Sequence, residues 1–229
     1  MSSVEAYPRY DATQRMGRTE IVGVVDVLFK VGLVVAVLLL GLLLLTMLVP
    51  SLRIWPTGGG WQSYVFWSLF RGLNALCFMM ALADRTVFLG LPVWARALAA
   101  VVLAASVALF IYAFRVLGRD NSYGAQDGLV TRGIYRWTRN PQNAMLILVY
   151  GALAITADSG PTYLLCAAMI AVYFLMVLLE EPWLAGIYGE GYRRYCQRVP
   201  RFLNWRRAAI ALRARLRRSS HSALKARTE

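Results

Sequence analysis

The sequence predicts an all-α membrane protein, a polytopic bundle of about five transmembrane helices. The chain has 229 residues, of which 59% are hydrophobic, and its mean hydropathy is +0.51. The apolar residues fall into blocks rather than amphipathic stripes, and a bilayer core of about 30 Å needs roughly 20 helical residues to cross. Five blocks approach this length, at about 24–49, 61–83, 91–113, 142–157 and 161–180.

The blocks divide the chain into three regions. Residues 1–113 hold three membrane spans, residues 114–203 hold a polar loop, a helical hairpin and a C-terminal polar helix, and residues 204–229 form a basic tail. The fourth block is short, which suggests a helix that starts within a buried polar region. The Ala-Asp-Ser-Gly-Pro segment at 157–161 predicts the tight turn of the hairpin.

The net charge of +13 indicates orientation rather than a nucleic-acid partner, because the long uncharged blocks leave no surface for a duplex. Most basic residues lie in the tail, the 114–141 loop and the 50–60 loop, so the positive-inside rule favours an outside N-terminus and a cytoplasmic C-terminus. The tail is expected either as a basic helix on anionic lipid or as an unstructured solvated segment.

Several common kinds of site are disfavoured. The three cysteines form no CxxC pair, and His221 is the only histidine, which excludes a His-rich metal site and a His-based triad. No metal is therefore expected. Residues 1–22 are polar and the first apolar run is long, so it is interpreted as a permanent anchor rather than a cleavable signal peptide.

Arg71 and Asn74 are polar residues inside the second block. They lie one turn apart and so on one helical face, which we expect to point into the bundle interior or a wet cavity. They are interpreted either as a polar lock between helices or as contacts to the head group of a substrate.

Glu180 and Glu181 end the last apolar block. A carboxylate at the bilayer edge costs roughly 2–3 kcal/mol if it inserts, so such acids are hypothesised to be functional. Neighbouring helical residues diverge by about 100°, so the two side chains cannot face the same spot. The structural alternative is an interfacial acid pair held by nearby arginines, which are Arg193, Arg194, Arg198 and Arg201.

The 114–141 loop combines glycines with arginines and aromatic residues and ends at Pro141, whose missing N–H is harmless at a helix start. Glycines let a backbone approach a ligand closely, and arginines bind carboxylates. None of the glycines forms a GxGxxG motif after a strand, so a Rossmann nucleotide domain is not expected.

Three motifs in residues 112–203 resemble the integral-membrane methyltransferases that include the isoprenylcysteine carboxyl methyltransferases and the phosphatidylethanolamine N-methyltransferases. The first is G-x-Y-R-x-x-R-[HN]-P at Gly133–Pro141, and the second is the Glu180-Glu181 pair. The third is Y-G-x-x-Y-x-x-Y-x-x-x-V-P-R-F at Tyr188–Phe202. Each motif is weak alone, but their order around a membrane hairpin is fairly specific.

The resemblance implies that residues 114–203 form a catalytic core with a cytoplasm-facing pocket for S-adenosylmethionine and a lipid-like acceptor that enters from the bilayer. Glu180, Glu181 and Arg139 are the catalytic candidates it implies. Arg71 and Asn74, from the residue pattern alone, are the candidate substrate contacts. The cofactor-binding residues that the resemblance implies are Gly133, Tyr135, Arg139, Asn140, Pro141, Glu180, Glu181, Tyr188 and Arg201.

The acceptor stays open because the chain mixes features of two branches. Asn140 and the Glu-Glu-Pro-Trp sequence resemble the phospholipid-methylating branch, whereas the Val-Pro-Arg-Phe ending resembles the prenylcysteine branch. The usual histidine is Asn140 here, and the tyrosine expected two places after the proline is Asn143.

Two alternative functions are weighed. An NADPH-dependent sterol-type reductase shares the Tyr-Gly, Tyr-Cys and Val-Pro pattern of the last segment. A membrane scaffold or transporter subunit would need no cofactor, but transporters usually show internal repeats and polar residues near the midplane, and neither pattern is found here.

Overall fold

The computed structural model describes residues 9–118 and 128–202, with side chains from residue 22 onward. The chain divides into two compact units. The first unit contains Met1–Leu109 and Met145–Trp183, and the second contains Phe110–Ala144 and Leu184–Glu229. The basic tail from residue 204 lies outside the described residues.

The described residues form five α-helices and no strand, which confirms the predicted all-α class. A 3₁₀ turn, Gly133–Arg136, lies between the third and fourth helices. The helices are α1 Arg9–Leu48, α2 Gly60–Ala83, α3 Val93–Leu117, α4 Pro141–Ala157 and α5 Gly160–Arg198.

Four of these helices, α1, α2, α3 and α5, are long and apolar enough to cross a bilayer. The predicted five spans are therefore four full-length candidates and one shorter apolar helix. With 17 residues, α4 is about 25 Å long, less than the hydrocarbon core of about 30 Å. Asn140 and Pro141 are buried at its start, as expected for a helix that begins in a buried polar region.

Two helices run beyond the apolar blocks that predict them. Helix α1 begins at Arg9, well before the first block. The polar helix predicted after the last span is a continuation of α5, which extends to Arg198 and is interrupted by non-helical backbone at Gly189.

The core of the first unit is apolar and lies between α1, α2, α4 and α5. Leu43, Phe66 and Leu73 are fully buried there, together with Leu165 and Met169 of α5. Gly32 allows α1 to approach closely, because a Cβ at this position would lie 2.8 Å from a methyl carbon of Leu165. By contrast, α3 exposes large apolar side chains such as Val101 and Trp94, as a lipid-facing helix does.

Asp84 joins the α2–α3 loop to the α4–α5 turn. The Ser159 hydroxyl donates to its carboxylate at 2.7 Å, and both the N–H and the hydroxyl of Thr86 donate to it as well. Burial by itself would raise the pKa of Asp84, but these hydrogen bonds outweigh it and hold the pKa below the ordinary 3.8. Its contribution to stability is therefore present above that pH and lost only as the pH falls through the lowered folded-state pKa.

Asp158 makes the second link between the same two segments. Its carboxylate accepts the N–H groups of Leu89 at 3.1 Å and Leu91 at 2.9 Å, while its carbonyl accepts the Phe88 N–H at 2.8 Å. The residue is fully buried and has a left-handed φ of 55°, which aspartate tolerates better than most residues. We call Asp84 and Asp158 with these partners the loop clasp.

Replacing Asp158 should destabilise the first unit. In Asp158→Ala the N–H groups of Leu89 and Leu91 lose their acceptor and alanine must adopt a positive φ, so we expect a loss of about 3 kcal/mol. Asp158→Asn keeps one acceptor oxygen and tolerates the backbone, so its loss should be about half as large. Thermal unfolding of the detergent-purified protein measures both.

Asp26→Ala is the matched control. Asp26 is exposed, and among the described residues it pairs only with Lys30 on the next turn, so the loss of stability in Asp26→Ala should be within about 0.5 kcal/mol. Equal effects of Asp158→Ala and Asp26→Ala would show that the loop clasp does not stabilise the fold.

Candidate functional site

The two glutamates lie on α5 in the first unit, and both are half-buried. Glu180 comes 20 residues after the helix start at Gly160, which corresponds to about 30 Å of rise and so to the thickness of a bilayer core. The loop clasp lies at one end of this stretch and the glutamates at the other. Glu180 and Glu181 therefore mark a membrane boundary, and they diverge around the helix as predicted.

Glu180 has no hydrogen bond or ion pair with any residue that the structure describes. Arg193 is one of the four arginines proposed to neutralise the pair. A terminal nitrogen of its guanidinium instead lies 3.8 Å from a carboxylate oxygen of Glu190, and both of those side chains are exposed. A half-buried carboxylate without such a partner is costly at a membrane boundary, and it is available to accept hydrogen bonds from a ligand.

Pro182 follows the glutamates inside α5. Having no N–H, it cannot donate to the carbonyl of Leu178, so the intrahelical ladder is interrupted where the glutamates lie. Interruptions of this kind are a common cause of helix kinks.

Asn74 and Arg71 differ in exposure although both lie on α2. Asn74 is half-buried, and it accepts a hydrogen bond from the Tyr150 hydroxyl and donates to the Phe70 carbonyl at 2.6 Å. Arg71 is exposed, with its guanidinium 5.2 Å from the centre of the Trp67 ring. Of the two environments expected for Arg71, the bundle interior is wrong, because its side chain is exposed and its cation stacks on an aromatic face at the helix surface.

The second unit joins the first and third sequence motifs through backbone carbonyls. The Arg139 N–H donates to the Pro200 carbonyl at 2.9 Å, and the Asn140 side-chain amide donates to the Arg201 carbonyl at 3.1 Å. The Thr138 hydroxyl donates to the same Arg201 carbonyl at 3.1 Å. The segment before α4 is therefore held against the segment after α5.

Tyr135 and Tyr195 make a second connection between these motifs. The Tyr195 hydroxyl donates to the Tyr135 carbonyl at 2.6 Å, and both rings are about 95% buried. Tyr195 packs with Tyr192 and Val199 in a small apolar cluster, against which Tyr188 also lies. These tyrosines are thus bound into the structure of the second unit.

Glycines occupy two positions that demand them. Gly133 has φ of +59°, and a Cβ there would lie 3.1 Å from a methyl of Val116. Gly189 has φ 51° and ψ −128° in an otherwise helical stretch, a combination that only glycine adopts readily. The chain therefore changes direction at Gly189, before the last nine residues of α5.

Comparison with known proteins identifies part of this chain. Residues 94–191 match the model of the phospholipid methyltransferase family. This match confirms the resemblance suggested by the motifs, over a little under half of the chain. It contains Gly133, Tyr135, the Arg139–Pro141 segment, both glutamates and Tyr188, whereas Arg201 lies beyond it. Neither the search of curated proteins nor that of solved structures returned a match.

Two residues lie beside the predicted site residues, and the family match assigns neither of them a role. Thr138 and Tyr195 each donate a hydrogen bond that joins the two motifs, and neither was among the predicted site residues. The sequence does offer a signal for Tyr195, which is the third tyrosine of the motif at Tyr188–Phe202. Thr138 carried no signal, since a lone threonine in a polar loop has many ordinary roles.

Gly189→Ala tests whether the turn in α5 positions the first and third sequence motifs within the second unit. We expect a cost of about 1–3 kcal/mol from the forced backbone and faster amide hydrogen exchange in residues 190–202. Gly191→Ala is the matched control, because Gly191 is helical and a Cβ there meets nothing within 4 Å. Unchanged exchange in Gly189→Ala would contradict this role.

Proposed function

We propose that the protein is an enzyme that transfers a methyl group from S-adenosylmethionine to an amphiphilic, lipid-like acceptor at the membrane face. The observation that carries the proposal is Glu180, a half-buried carboxylate at a membrane boundary with no partner among the described residues. The match of residues 94–191 to a methyltransferase family supports it, and favours it over the reductase and scaffold alternatives.

The residues fit the chemistry of such a cofactor. When bound, S-adenosylmethionine supplies a methyl group on a positively charged sulfur, and the sulfur departs as a neutral thioether. Carboxylates accept hydrogen bonds from ammonium and ribose hydroxyl groups, which is the role proposed for Glu180 and Glu181. The Arg139 guanidinium is suited to a carboxylate. Tyr135, Asn140 and Pro141 would shape the remaining surface, with Gly133, Tyr188 and Arg201 as further proposed contacts.

The chemistry demands orientation more than acid–base catalysis. Holding the acceptor, the methyl carbon and the sulfur in line can lower the barrier by about 7–11 kcal/mol. A carboxylate or thiolate acceptor then needs no base. A protonated amine acceptor must lose a proton, and Glu180 or Glu181 is the proposed base. Arg71 and Asn74 remain the proposed contacts to the acceptor, and a cytoplasmic C-terminus remains the proposed orientation.

Glu180→Gln and Glu181→Gln should each weaken binding of S-adenosylmethionine by about tenfold or more, because each replaces a charged acceptor with a neutral one. Calorimetric titration of the detergent-purified protein measures this, with NADPH as the competing cofactor. Glu190→Gln is the matched control, since Glu190 is exposed and paired with Arg193. Wild-type affinity in both glutamate variants would contradict the assignment.

The acceptor class follows from the stability of the product. Labelled methyl transferred to a carboxylate forms an ester that alkali cleaves, whereas methyl transferred to an amine survives the same treatment. We expect label to enter vesicles of phosphatidylethanolamine or a prenylated cysteine, and alkali distinguishes the two. If one of the glutamates is the base, replacing that residue should slow amine methylation by about 10²-fold or more. Glu180→Gln and Glu181→Gln are therefore compared at saturating cofactor. No labelled product with any amphiphile would refute the proposed reaction.

A further inference from the structure

Arg71 is a charged side chain at the middle of a membrane span. It lies halfway between Gly60 and Ala83, the two ends of α2, so about 16 Å of helix separates it from the nearer end. Its side chain is exposed, and it forms no ion pair or hydrogen bond within the described part of the chain. Stacking on Trp67, one turn nearer to Gly60, leaves the cation within the apolar stretch. A cation at this depth is costly in lipid, so it indicates a missing anionic partner.

The other charged side chains in the described membrane spans are partnered or lie near a span end. Lys30 of α1 pairs with Asp26 at 2.7 Å, and Arg96 of α3 donates to the last carbonyls of α4. The exposed residues of α3 from Leu98 to Tyr112 are all apolar, as hydrocarbon requires. Arg71 therefore departs from the pattern that the rest of the lipid-facing surface follows.

Small residues surround Arg71 on its side of α2. Ser68 and Ala75 are exposed, and with Gly72 and Arg71 they lie within about 100° of one another around the helix. Glycine weakens a helix interior, yet a Cβ at Gly72 would meet nothing within 4 Å, so packing within this chain does not require it. Small residues three and four positions apart let a second membrane helix approach closely. The surface beside the cation therefore suits another helix.

The exposed side of α2 extends along the whole helix. Its residues recur at alternating intervals of three and four, and they are Trp61, Tyr64, Ser68, Arg71, Ala75, Phe78 and Leu82. We call them the Arg71 face. Leu73 and Cys77 project from the opposite side of α2 into the core of the first unit. Because the spacing is that of a helix–helix contact, the Arg71 face can lie along one neighbouring helix over its full length.

We propose that the Arg71 face binds a transmembrane helix of another membrane protein, and that this helix carries one carboxylate near its midpoint, paired with the Arg71 guanidinium. Arginine and a carboxylate form two parallel N–H···O hydrogen bonds, and pairing leaves neither charge bare in hydrocarbon. Ser68 and Ala75 let the two backbones come close on either side of that pair. The face lies outside residues 94–191, so the inference does not rest on the methyl-transfer proposal.

A second copy of this chain does not supply the acid. Two-fold pairing through the Arg71 face would bring two guanidinium groups to the same depth, where they repel. Asp26 and the two glutamates are the acids described in the spans, and they lie near span ends rather than at the midpoint. The head group of an amphiphilic acceptor lies at the membrane face, so the acceptor contact proposed for Arg71 is the competing assignment of this cation.

Fluorescence energy transfer between the labelled full-length protein and a synthetic peptide, both in phosphatidylcholine vesicles, tests the face. The peptide is a transmembrane helix of about 21 leucines and alanines with lysines at its ends and a single Asp at its centre. Two further peptides carry Asn or Leu at that position. We expect the Asp peptide to bind about tenfold more tightly than the Leu peptide or better, with the Asn peptide between them.

Two variants separate the charge from the surface. Arg71→Leu removes the cation, so the affinities of the Asp and Leu peptides should come within about twofold of each other. Ala75→Phe keeps the cation but obstructs close approach, and should weaken binding of the Asp peptide about fivefold or more. Ala104→Phe is the matched control, because Ala104 is also exposed but lies on α3, and its affinity should stay within about twofold of wild type.

Four results would overturn the helix-binding proposal. A preference for Asp that is absent in wild type, or that persists in Arg71→Leu, would show that Arg71 pairs with no carboxylate. Equal weakening by Ala75→Phe and Ala104→Phe would show that the α2 surface is not the contact. Displacement of the peptide by a prenylated cysteine would assign Arg71 to the acceptor. Energy transfer between two labelled copies that Arg71→Leu abolishes would assign the face to self-association.

Discussion

The arrangement of the helices within the first unit depends on the loop clasp. Where helices leave a bilayer, loop N–H groups that cannot reach water need acceptors from the protein, and a buried carboxylate can accept several. Asp84 and Asp158 serve the loop from Thr86 to Leu91 in this way. Because Asp158 also turns α4 into α5, the same contacts set the start of α5 and thereby the depth at which its glutamates lie.

The stretch of α5 around the glutamates concentrates the unusual chemistry of the first unit. Two carboxylates, a proline and a tryptophan follow one another at a membrane boundary, and Arg53 from the α1–α2 loop lies over the tryptophan. That contact places the 49–59 loop and the glutamates at the same end of the first unit. The glutamates and Trp183, the residue that contacts Arg53, project from different sides of α5.

Several residues of the sequence motifs have structural roles. Asn140 and Tyr195 donate hydrogen bonds to backbone carbonyls, and Gly189 supplies a backbone conformation that other residues adopt only at a cost. A motif position therefore does not by itself indicate ligand contact. The Arg139 backbone N–H likewise donates to the Pro200 carbonyl.

The sequence by itself determined the all-α class, the hydrophobic blocks and the position of the acid pair, because hydropathy and helical rise are local properties. It also indicated the family, since the motifs are local too. Only the tertiary structure decided that Arg71 is exposed while Asn74 bonds Tyr150, that Asp84 and Asp158 are buried acceptors, and that Arg53 meets Trp183. Each of these joins residues far apart in the chain or depends on which face neighbouring helices cover, and no local pattern contains that information.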